Sequence, residues 1–334
     1  MKLRLHIVAL IFLLTFQSDY AYGQKITGVN FVAERSSIEE NGFDQLQQIN
    51  SDWISWVPYA YCDVKTGKIY HKTKWQWEGE SIIGTEKAIK LAKSKGFKIM
   101  VKPHIWLSDH SFCGNLDMPD QNWNIWKEDY TLYILTFAQL AEKHGVELFC
   151  IGTEQEAATK KDPLYWENLI TGIRSVYSGK ITYAANWDEY TRVPFWHKLD
   201  YIGIDAYFPI STESNPSISD LENKWIKWKS EIQNLQSSYN LPILFTEFGY
   251  RTTNFATQSP WESTTKEAYC EDCQSKALQA KFNTFWNEDW FAGGFIWKWF
   301  EPNKSIQNED KKSFSIVGKL AEKTVANHYD QFNN

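Results

Sequence analysis

Three features that would assign the chain to common protein classes are missing from the sequence. After residue 16 no apolar run reaches the roughly 18 to 20 uncharged residues that a membrane-spanning helix needs. Basic residues form no cluster, and 35 Lys and Arg against 41 Asp and Glu give a net charge of −6, which argues against a nucleic-acid partner. No GxGxxG or Walker pattern occurs, so the glycine-rich loop of nucleotide-binding sheets is missing. We therefore expect no membrane or nucleic-acid partner and no cofactor.

Cysteine is scarce, and its number is odd. Five cysteines cannot all pair with one another, so at least one thiol is free or pairs with another molecule. Cys150 lies inside an apolar run and is the expected buried free thiol. We expect disulfides between Cys62 and Cys113 and between Cys270 and Cys273. The second pair could also be a redox or metal pair, but it has no other CxxC or His pair nearby, and we expect no metal site.

The first residues have the composition of an export signal. Lys2 and Arg4 precede the apolar run 7–16, and residues 21–23 (AYG) offer small side chains at the spacing that signal peptidase accepts. We expect a signal peptide over residues 1–23, one mature domain over residues 24–334, and a monomeric protein that is secreted or periplasmic. A buried N-terminal strand is the alternative interpretation of the apolar run.

Aromatic residues, in contrast, are abundant. The chain has 17 Trp, 17 Tyr and 20 Phe, which make up 16% of its residues and exceed what filling a core requires. Large flat rings that stay partly exposed bind ligands, and the apolar faces of sugar rings are one suitable target. The composition therefore favours a carbohydrate partner.

Short β-rich runs alternate with helical periodicity along the whole mature chain. The predicted strands are 26–33, 52–61, 98–107, 147–154, 180–187, 201–209, 242–250 and 291–300. The predicted helices are 80–95, 126–143, 163–177, 219–239, 266–287 and 311–329. Eight such units without a linker predict an α/β fold, a single-domain (β/α)8 TIM barrel, over the main rival, a doubly wound open sheet. Gly96 and Gly145 each follow a Lys-bearing last turn, as is typical of helix C-termini.

Two glutamates come directly out of apolar strands. Glu154 ends the fourth predicted strand, and Glu247 lies in the seventh. Catalytic groups of such barrels lie at the C-terminal ends of the strands. Glycoside hydrolysis requires two facing carboxyl groups, one a protonated acid and the other an ionised nucleophile. A strand-end ion pair is the alternative for either glutamate alone, and Glu156 competes with Glu154 on the fourth strand.

Four segments carry a resemblance to a known family. They are 141–154 (AEKHGVELFCIGTE), 199–209 (LDYIGIDAYFP), 246–251 (TEFGYR) and 293–299 (GGFIWKW). The pattern resembles clan A retaining glycoside hydrolases, and more narrowly glycoside hydrolase family 113, the β-mannanases. The resemblance implies that Glu154 is the acid/base and Glu247 the nucleophile. It also implies that Tyr207 hydrogen-bonds the nucleophile and that Trp297 forms the floor under the cleaved sugar. Thr153 stands where many clan A members have an Asn that touches the sugar 2-hydroxyl.

Other strand ends supply further candidate binding residues. Lys102, His104 and Trp106 alternate and therefore share one face of the third strand. Asn186 and Trp187 end the fifth strand, where the amide could bind sugar hydroxyls and the indole could stack, although alternation requires one of them to point away. The alternative for His104 is a structural histidine whose ring nitrogens are hydrogen-bonded within the protein.

The remaining tryptophans fall into two groups. Trp225 and Trp228 lie three apart on a predicted helix and are expected to pack against the barrel wall. Four others lie in loops on the predicted active-site face, and about half of them are expected to flank sugar subsites. They are Trp75, Trp77, Trp123 and Trp261.

Together these features predict a secreted, retaining endo-β-1,4-mannanase that cleaves β-mannan or glucomannan. The two carboxyl groups of a retaining enzyme lie about 5 to 5.5 Å apart. One alternative is the same chemistry on another β-linked glycan, such as glucan or xylan, or exo action on mannosides. The other is a noncatalytic carbohydrate-binding barrel, which would have no reason to keep both glutamates.

Overall fold

The computed structural model describes residues 24–300 and 311–333 of the chain. The strands in this part are β1 (Ile26–Val32), β2 (Trp53–Val57), β3 (Tyr59–Cys62), β4 (Ile69–Tyr70), β5 (Lys98–Val101), β6 (His104–Leu107), β7 (Leu148–Thr153), β8 (Lys180–Asn186), β9 (Ile202–Asp205), β10 (Ile243–Phe248) and β11 (Phe291–Trp299). Eight of them close a barrel in the order β1-β2-β5-β7-β8-β9-β10-β11, and each neighbouring pair is parallel. The predicted (β/α)8 barrel is confirmed.

Helices cover the outside of the barrel. In the described residues they are α1 (Asp44–Gln48), α2 (Ile82–Ser94), α3 (Asp120–Lys143), α4 (Glu156–Lys161), α5 (Pro163–Arg174), α6 (Ile218–Tyr239), α7 (Glu271–Phe285) and α8 (Leu320–Phe332). Gly96 and Gly145 follow the ends of α2 and α3 with φ of 85° and 57°, a left-handed conformation that favours glycine. Both glycines therefore end helices as their positions predicted.

Two predicted strands are each divided by a proline. Pro58 separates β2 from β3, and Pro103 separates β5 from β6. A proline cannot donate to a sheet ladder, so barrel pairing stops there. Beyond the break, β3 pairs in parallel with β6 and antiparallel with β4 in a separate three-stranded sheet. This sheet extends from the C-terminal ends of β2 and β5, and it holds His104 and Trp106 above the barrel mouth.

The hydrophobic core has two parts. A small cluster fills the barrel interior, and it includes Ile26, Met100, Leu148, Cys150, Leu244 and Phe295. A larger cluster lies between the strands and the helices. Trp225 belongs to this outer core and is fully buried, and the partly buried Trp228 packs against it, in agreement with the expected packing of both on the barrel wall. Burial of both layers holds the strand ends, and the side chains they carry, in fixed positions.

Two of the three expectations for cysteine are confirmed. Cys270 and Cys273 form a disulfide at the start of α7. Cys150 is a free thiol buried inside the barrel.

The predicted bond between Cys62 and Cys113 is wrong, because both thiols are free. Cys62 ends β3 inside the small sheet, where it lies opposite Ile69 and Leu107. The Cys113 sulfur instead lies 3.4 Å from the backbone oxygen of Glu154. A disulfide needs matched Cα positions and Cβ directions, and the spacing of cysteines along the sequence does not reveal them.

Within the described ranges, no helix is both long enough and apolar enough to span a bilayer. The predicted export segment, residues 1–23, lies outside the described residues.

Candidate active site

Two glutamates open into one cleft at the C-terminal ends of the barrel strands. Glu154 directly follows β7, the fourth barrel strand, and Glu247 lies in β10, the seventh. Both line a cavity of about 660 Å³, here called the catalytic cleft. The competing Glu156 lies on α4, where it is ion-paired with Lys160 and Arg192, and it does not line this cleft. The structure therefore places Glu154 and Glu247 together and leaves Glu156 outside.

The surroundings of Glu154 favour its protonated form. Burial raises the pKa of Glu154 well above its ordinary value, and the neighbouring Asp205 and Glu247 carboxylates raise it further, while the Lys102 ammonium opposes the shift. The backbone of Glu154 is left-handed, with φ of 50°, and its N–H donates to the Ala184 carbonyl at 2.8 Å. A carboxyl group in such surroundings can deliver a proton near neutral pH.

Glu247 is surrounded by hydrogen-bond donors. The Lys102 ammonium contacts its Oε1, and the Tyr207 hydroxyl donates to its Oε2 at 2.8 Å. Hydrogen bonds and a close positive charge stabilise an ionised carboxylate and fix its orientation. These two contacts hold the Glu247 carboxyl group in a fixed position in the cleft.

The ammonium below Glu247 is shared with a second carboxylate. Lys102 is fully buried and lies 3.7 Å from Asp205 Oδ1, which also accepts a hydrogen bond from the Thr246 hydroxyl at 2.7 Å. Burial alone would lower the pKa of Lys102, but the charges of Asp205 and Glu247 raise it above its ordinary value. One ammonium cannot neutralise two carboxylates, and burial together with the Glu247 charge raises the pKa of Asp205 to about 8.

Asp205 was assigned no role from the sequence. A signal for it was present, because Asp205 is a charged residue inside the apolar run of the sixth predicted strand. Lys102 was expected to line the site beside His104 and Trp106. The structure places Lys102 beneath the cleft. The predicted strand is interrupted at Pro103, so Lys102 does not share one strand face with His104 and Trp106.

The other predicted binding residues line the catalytic cleft. They are His104, Trp106, Asn186, Tyr207 and Trp297. His104 Nδ1 lies 3.0 Å from the Ile105 carbonyl, and burial together with the Lys102 charge lowers its pKa to about 3, so the ring is neutral. Its ring stacks on Tyr59, with centroids 5.1 Å apart.

Asn186 and Trp187 both line the cleft, although strand alternation had required one to point away. The reason is that β8 ends at Asn186, so Trp187 no longer follows the pleat. The Asn186 side-chain oxygen accepts the Trp187 N–H at 2.8 Å. This bond leaves the NH2 group of Asn186 as a donor toward a ligand.

Family comparison decides the assignment of this barrel. Residues 29–319 match the model of Glycoside Hydrolase Family 113. The chain belongs to this family. It is accordingly a glycoside hydrolase that acts on a glycan.

Solved structures share the fold of this family 113 hydrolase. A family 113 β-1,4-mannanase solved as a complex matches with a TM-score of 0.81 at 22% identity, over 92% of this chain and 99% of that chain. The β-mannanase AaManA from Alicyclobacillus acidocaldarius, in complex with ManMIm, matches at 0.79 and 23% identity, over 92% and 98%. A Faecalibacterium prausnitzii β-glucuronidase matches at 0.64 and 13% identity, and the match spans 92% of this chain but 49% of that chain. A comparison with curated proteins found no match.

The catalytic cleft of the family 113 hydrolase continues into a second cavity. This adjoining cavity measures about 1070 Å³ and shares Tyr59, Trp106, Trp297 and Phe314 with the catalytic cleft. Trp297 therefore lies where the two cavities meet. Together the two cavities, here called the groove, have more volume than one sugar ring requires.

About half of the four loop tryptophans of the family 113 hydrolase face the groove, the share that the sequence predicted. Trp261 lines the catalytic cleft and stacks on Trp187 at 5.1 Å with an interplanar angle of 16°, and Trp77 lines the adjoining cavity. Trp75 packs edge-on against Tyr61 and lines neither cavity. Two of the four loop tryptophans thus face the groove, and their binding of sugar stays a prediction.

Trp123 was expected in a loop on the active-site face, but it lies on helix α3 and lines neither cavity of the groove. It is 5% exposed and packs edge-on against Trp126, with centroids 5.4 Å apart. The helix α3 begins at Asp120, before the predicted start, so Trp123 lies on the helix and faces the core.

A buried network beneath Glu154 was missed from the sequence. The Tyr183 hydroxyl accepts the backbone N–H of Gln155 at 2.6 Å and donates to Glu189 Oε1 at 2.7 Å. Burial raises the pKa of Glu189 to about 7. Glu189 lies in a polar stretch with no strand pattern, so the sequence offered no signal for it. The network fixes the backbone that follows Glu154.

Proposed function

We propose that this family 113 hydrolase cleaves β-1,4-linked mannan internally, with retention of anomeric configuration. One observation carries the proposal: Glu154 and Glu247 line the same cleft in opposite environments, one favouring a proton and the other a negative charge. The choice of mannan is supported by the two mannanases described above, which share the fold over almost their whole length.

In the proposed reaction, Glu154 gives its proton to the leaving glycosidic oxygen while Glu247 attacks the anomeric carbon. Glu154, now ionised, then removes a proton from water, which releases the sugar from Glu247. A single residue can serve as acid and then as base because the two steps are chemically the reverse of each other. The two carboxyl groups would lie about 5 to 5.5 Å apart in this mechanism.

The remaining cleft residues would bind and orient the sugar. Trp297 offers an apolar face between the two cavities, and the NH2 group of Asn186 is available to a hydroxyl. His104 is neutral and can exchange hydrogen bonds with the substrate. The volume of the two cavities that meet at Trp297 supports endo action, because each cavity has room for further sugar units.

Substitutions at the two glutamates test the assignment. Glu154→Ala and Glu247→Ala should each lower turnover of mannan by several orders of magnitude, whereas Glu156→Ala should stay near wild type because its carboxylate lies outside the cleft. Mannan hydrolysis that survives Glu247→Ala would refute its role as nucleophile.

An activated substrate separates the two roles. A mannoside with a dinitrophenyl leaving group needs no acid, so Glu154→Ala should still form the intermediate on it, and azide should then speed turnover and give the β-azide product. Glu247→Ala should not behave in this way, because it cannot form the intermediate.

Substrate choice is tested with a panel of mannan, glucomannan, xylan and β-glucan. The proposal predicts the fastest release of reducing ends from mannan and glucomannan, with oligosaccharides of several lengths as early products. Preference for another glycan would retain the chemistry and overturn the specificity. Failure to hydrolyse any member of the panel would favour a noncatalytic barrel.

We also propose that the enzyme works outside the cytoplasm as a monomer. The composition of residues 1–23 supports export, and the Cys270–Cys273 disulfide supports an oxidising compartment. N-terminal sequencing of the protein recovered from the producing cells should start near Gln24, and an intact Met1 would contradict export by cleavage.

A further inference from the structure

Three potential metal ligands meet in the catalytic cleft. A ring nitrogen of His104, the Cys113 sulfur and a carboxylate oxygen of Glu154 all lie within 4.8 Å of one another, and all three residues line the cleft. They come from β6, from the short 3-10 turn Cys113–Asn115 and from the end of β7, so three separate elements converge. Imidazole and thiolate together suit a borderline-soft divalent cation such as Zn²⁺ better than Mg²⁺ or Ca²⁺.

His104 is oriented as metal-binding histidines are. Its Nδ1 lies 3.0 Å from the Ile105 carbonyl, and an Nδ1–H that donates there leaves Nε2 with a free lone pair. The Tyr59 ring stacks on the imidazole at an interplanar angle of 29° and fixes its plane.

The turn that carries Cys113 is packed tightly against Glu154. A Cβ on Gly114 would lie 3.1 Å from the Glu154 carbonyl oxygen, a tight contact, so the turn approaches Glu154 closely. The Cys113 thiol donates weakly to the backbone oxygens of Thr153 and Glu154 at 3.7 and 3.4 Å. Tetrahedral zinc with bonds of about 2.0 to 2.3 Å needs ligand atoms roughly 3.3 to 3.6 Å apart. Separations of up to 4.8 Å must therefore shorten by about 1.2 to 1.5 Å through side-chain movement to reach a zinc geometry.

We propose that His104, Cys113 and Glu154 form an inhibitory site for Zn²⁺ and similar thiophilic divalent cations. On binding, the Cys113 S–H bond and the Glu154 O–H bond break, both protons pass to the solvent, and sulfur–zinc and oxygen–zinc bonds form, with no change of oxidation state. The cation occupies the Glu154 carboxylate and so removes the group that protonates the leaving oxygen. Only this inhibitory effect, and not the binding itself, rests on the role proposed for Glu154.

Cobalt reports on the site without any enzyme assay, because a thiolate bound to Co²⁺ gives a charge-transfer band in the near ultraviolet. Titration of the purified full chain with Co²⁺ should produce this band at one equivalent, and Zn²⁺ should abolish it. Cys113→Ser should remove the band and weaken zinc inhibition of glycan hydrolysis by at least about tenfold, since loss of even an indirect metal contact costs 10- to 100-fold. Cys62→Ser and Cys150→Ser, the matched free-thiol controls, should keep both properties.

Two results would overturn the site: a cobalt band that persists in Cys113→Ser, or zinc inhibition equal to that of the wild type in that variant. If Cys113→Ser does not fold, Glu154→Gln serves instead, because it keeps the thiol but should need at least about tenfold more Co²⁺ for the same band. Unchanged cobalt affinity in Glu154→Gln would also refute the proposal. An incorrect substrate assignment would leave the cobalt titration unaffected, so the two failures can be told apart.

Discussion

Glu154 and Glu247 carry the same chemical group in two different surroundings. Glu154 is shielded from water among other carboxylates, which raises its pKa, while Glu247 receives one ammonium and one hydroxyl donor. Identical side chains can therefore perform opposite tasks, because burial and donors decide which form is stable. The proposed division of roles rests on the neighbours of each residue.

Tyr207→Phe tests the hydrogen bond to the nucleophile. Hydrogen bonds to charged groups contribute about 1.5 to 3 kcal/mol, so kcat/KM should fall roughly 10- to 100-fold. Steady-state kinetics on mannan measure the loss. Tyr190→Phe is the matched control, because it removes a similar bond to Glu231 at 2.7 Å outside the cleft and should leave kcat/KM near wild type. Equal kinetics for Tyr207→Phe and the wild type would show that this hydroxyl does not assist Glu247.

At the scale of single elements, the end of β7 depends on its neighbour β8. Glu154 holds a left-handed backbone that non-glycine residues seldom adopt, and the next N–H is anchored by the Tyr183 hydroxyl. The hydroxyl in turn donates to Glu189. A strained backbone at a functional position persists only when its surroundings hold it there.

Two tyrosines that hydrogen-bond the backbone near opposite ends of β7 provide a matched test. Tyr183→Phe removes the acceptor of the Gln155 N–H, and Tyr177→Phe removes a donor to the Val146 carbonyl at 2.8 Å, before β7 begins. Each leaves a buried polar group without a partner, so each should lower the unfolding free energy by about 1 to 3 kcal/mol. Denaturant unfolding measures this effect. Only Tyr183→Phe should also lower kcat, and an equal loss of kcat in both variants would mean that the network acts on stability alone.

The elements also show what the sequence could and could not predict. Alternation of strand and helix patterns predicted the barrel and placed Glu154 and Glu247 at its mouth, because periodicity reflects which faces are buried. Pro58 and Pro103 were not recognised as strand breaks, so the separate sheet and the position of Lys102 below the cleft were missed. The Cys62–Cys113 pairing and the placement of Trp123 failed for a related reason, since both depend on how elements pack in space.

For the whole molecule, buried carboxyl groups make stability depend on pH. Burial raises the pKa of Glu189 to about 7, whereas the unfolded chain releases this proton near 4.5. Between these values the folded state binds more protons, so this group's contribution to the unfolding free energy falls as pH rises. Glu86 is the opposite case, because hydrogen bonds led by Lys143 lower its pKa to about 2, and its contribution is lost only as the pH falls below about 4.5.

Thermal unfolding between pH 5 and 8 tests whether the Glu189 contribution to stability falls as the pH rises. The melting temperature of Glu189→Gln relative to the wild type should rise from pH 5 to about pH 7 and level off above it, because the variant lacks the carboxyl group whose stabilising contribution falls over that interval. The difference in melting temperature between Glu86→Gln and the wild type should stay constant over the same pH range. A constant difference for Glu189→Gln would show that Glu189 is already ionised in the fold at pH 5.

The central claim, that Glu247 attacks the sugar while Glu154 donates the proton, can be tested by trapping the intermediate. A mannosyl fluoride with a second fluorine beside the anomeric carbon should form the covalent intermediate and release it slowly. Proteolysis and mass spectrometry of the wild-type protein should then find the sugar attached to Glu247. Attachment to Glu154 or to another residue, or turnover with inversion and no attached sugar, would contradict the account.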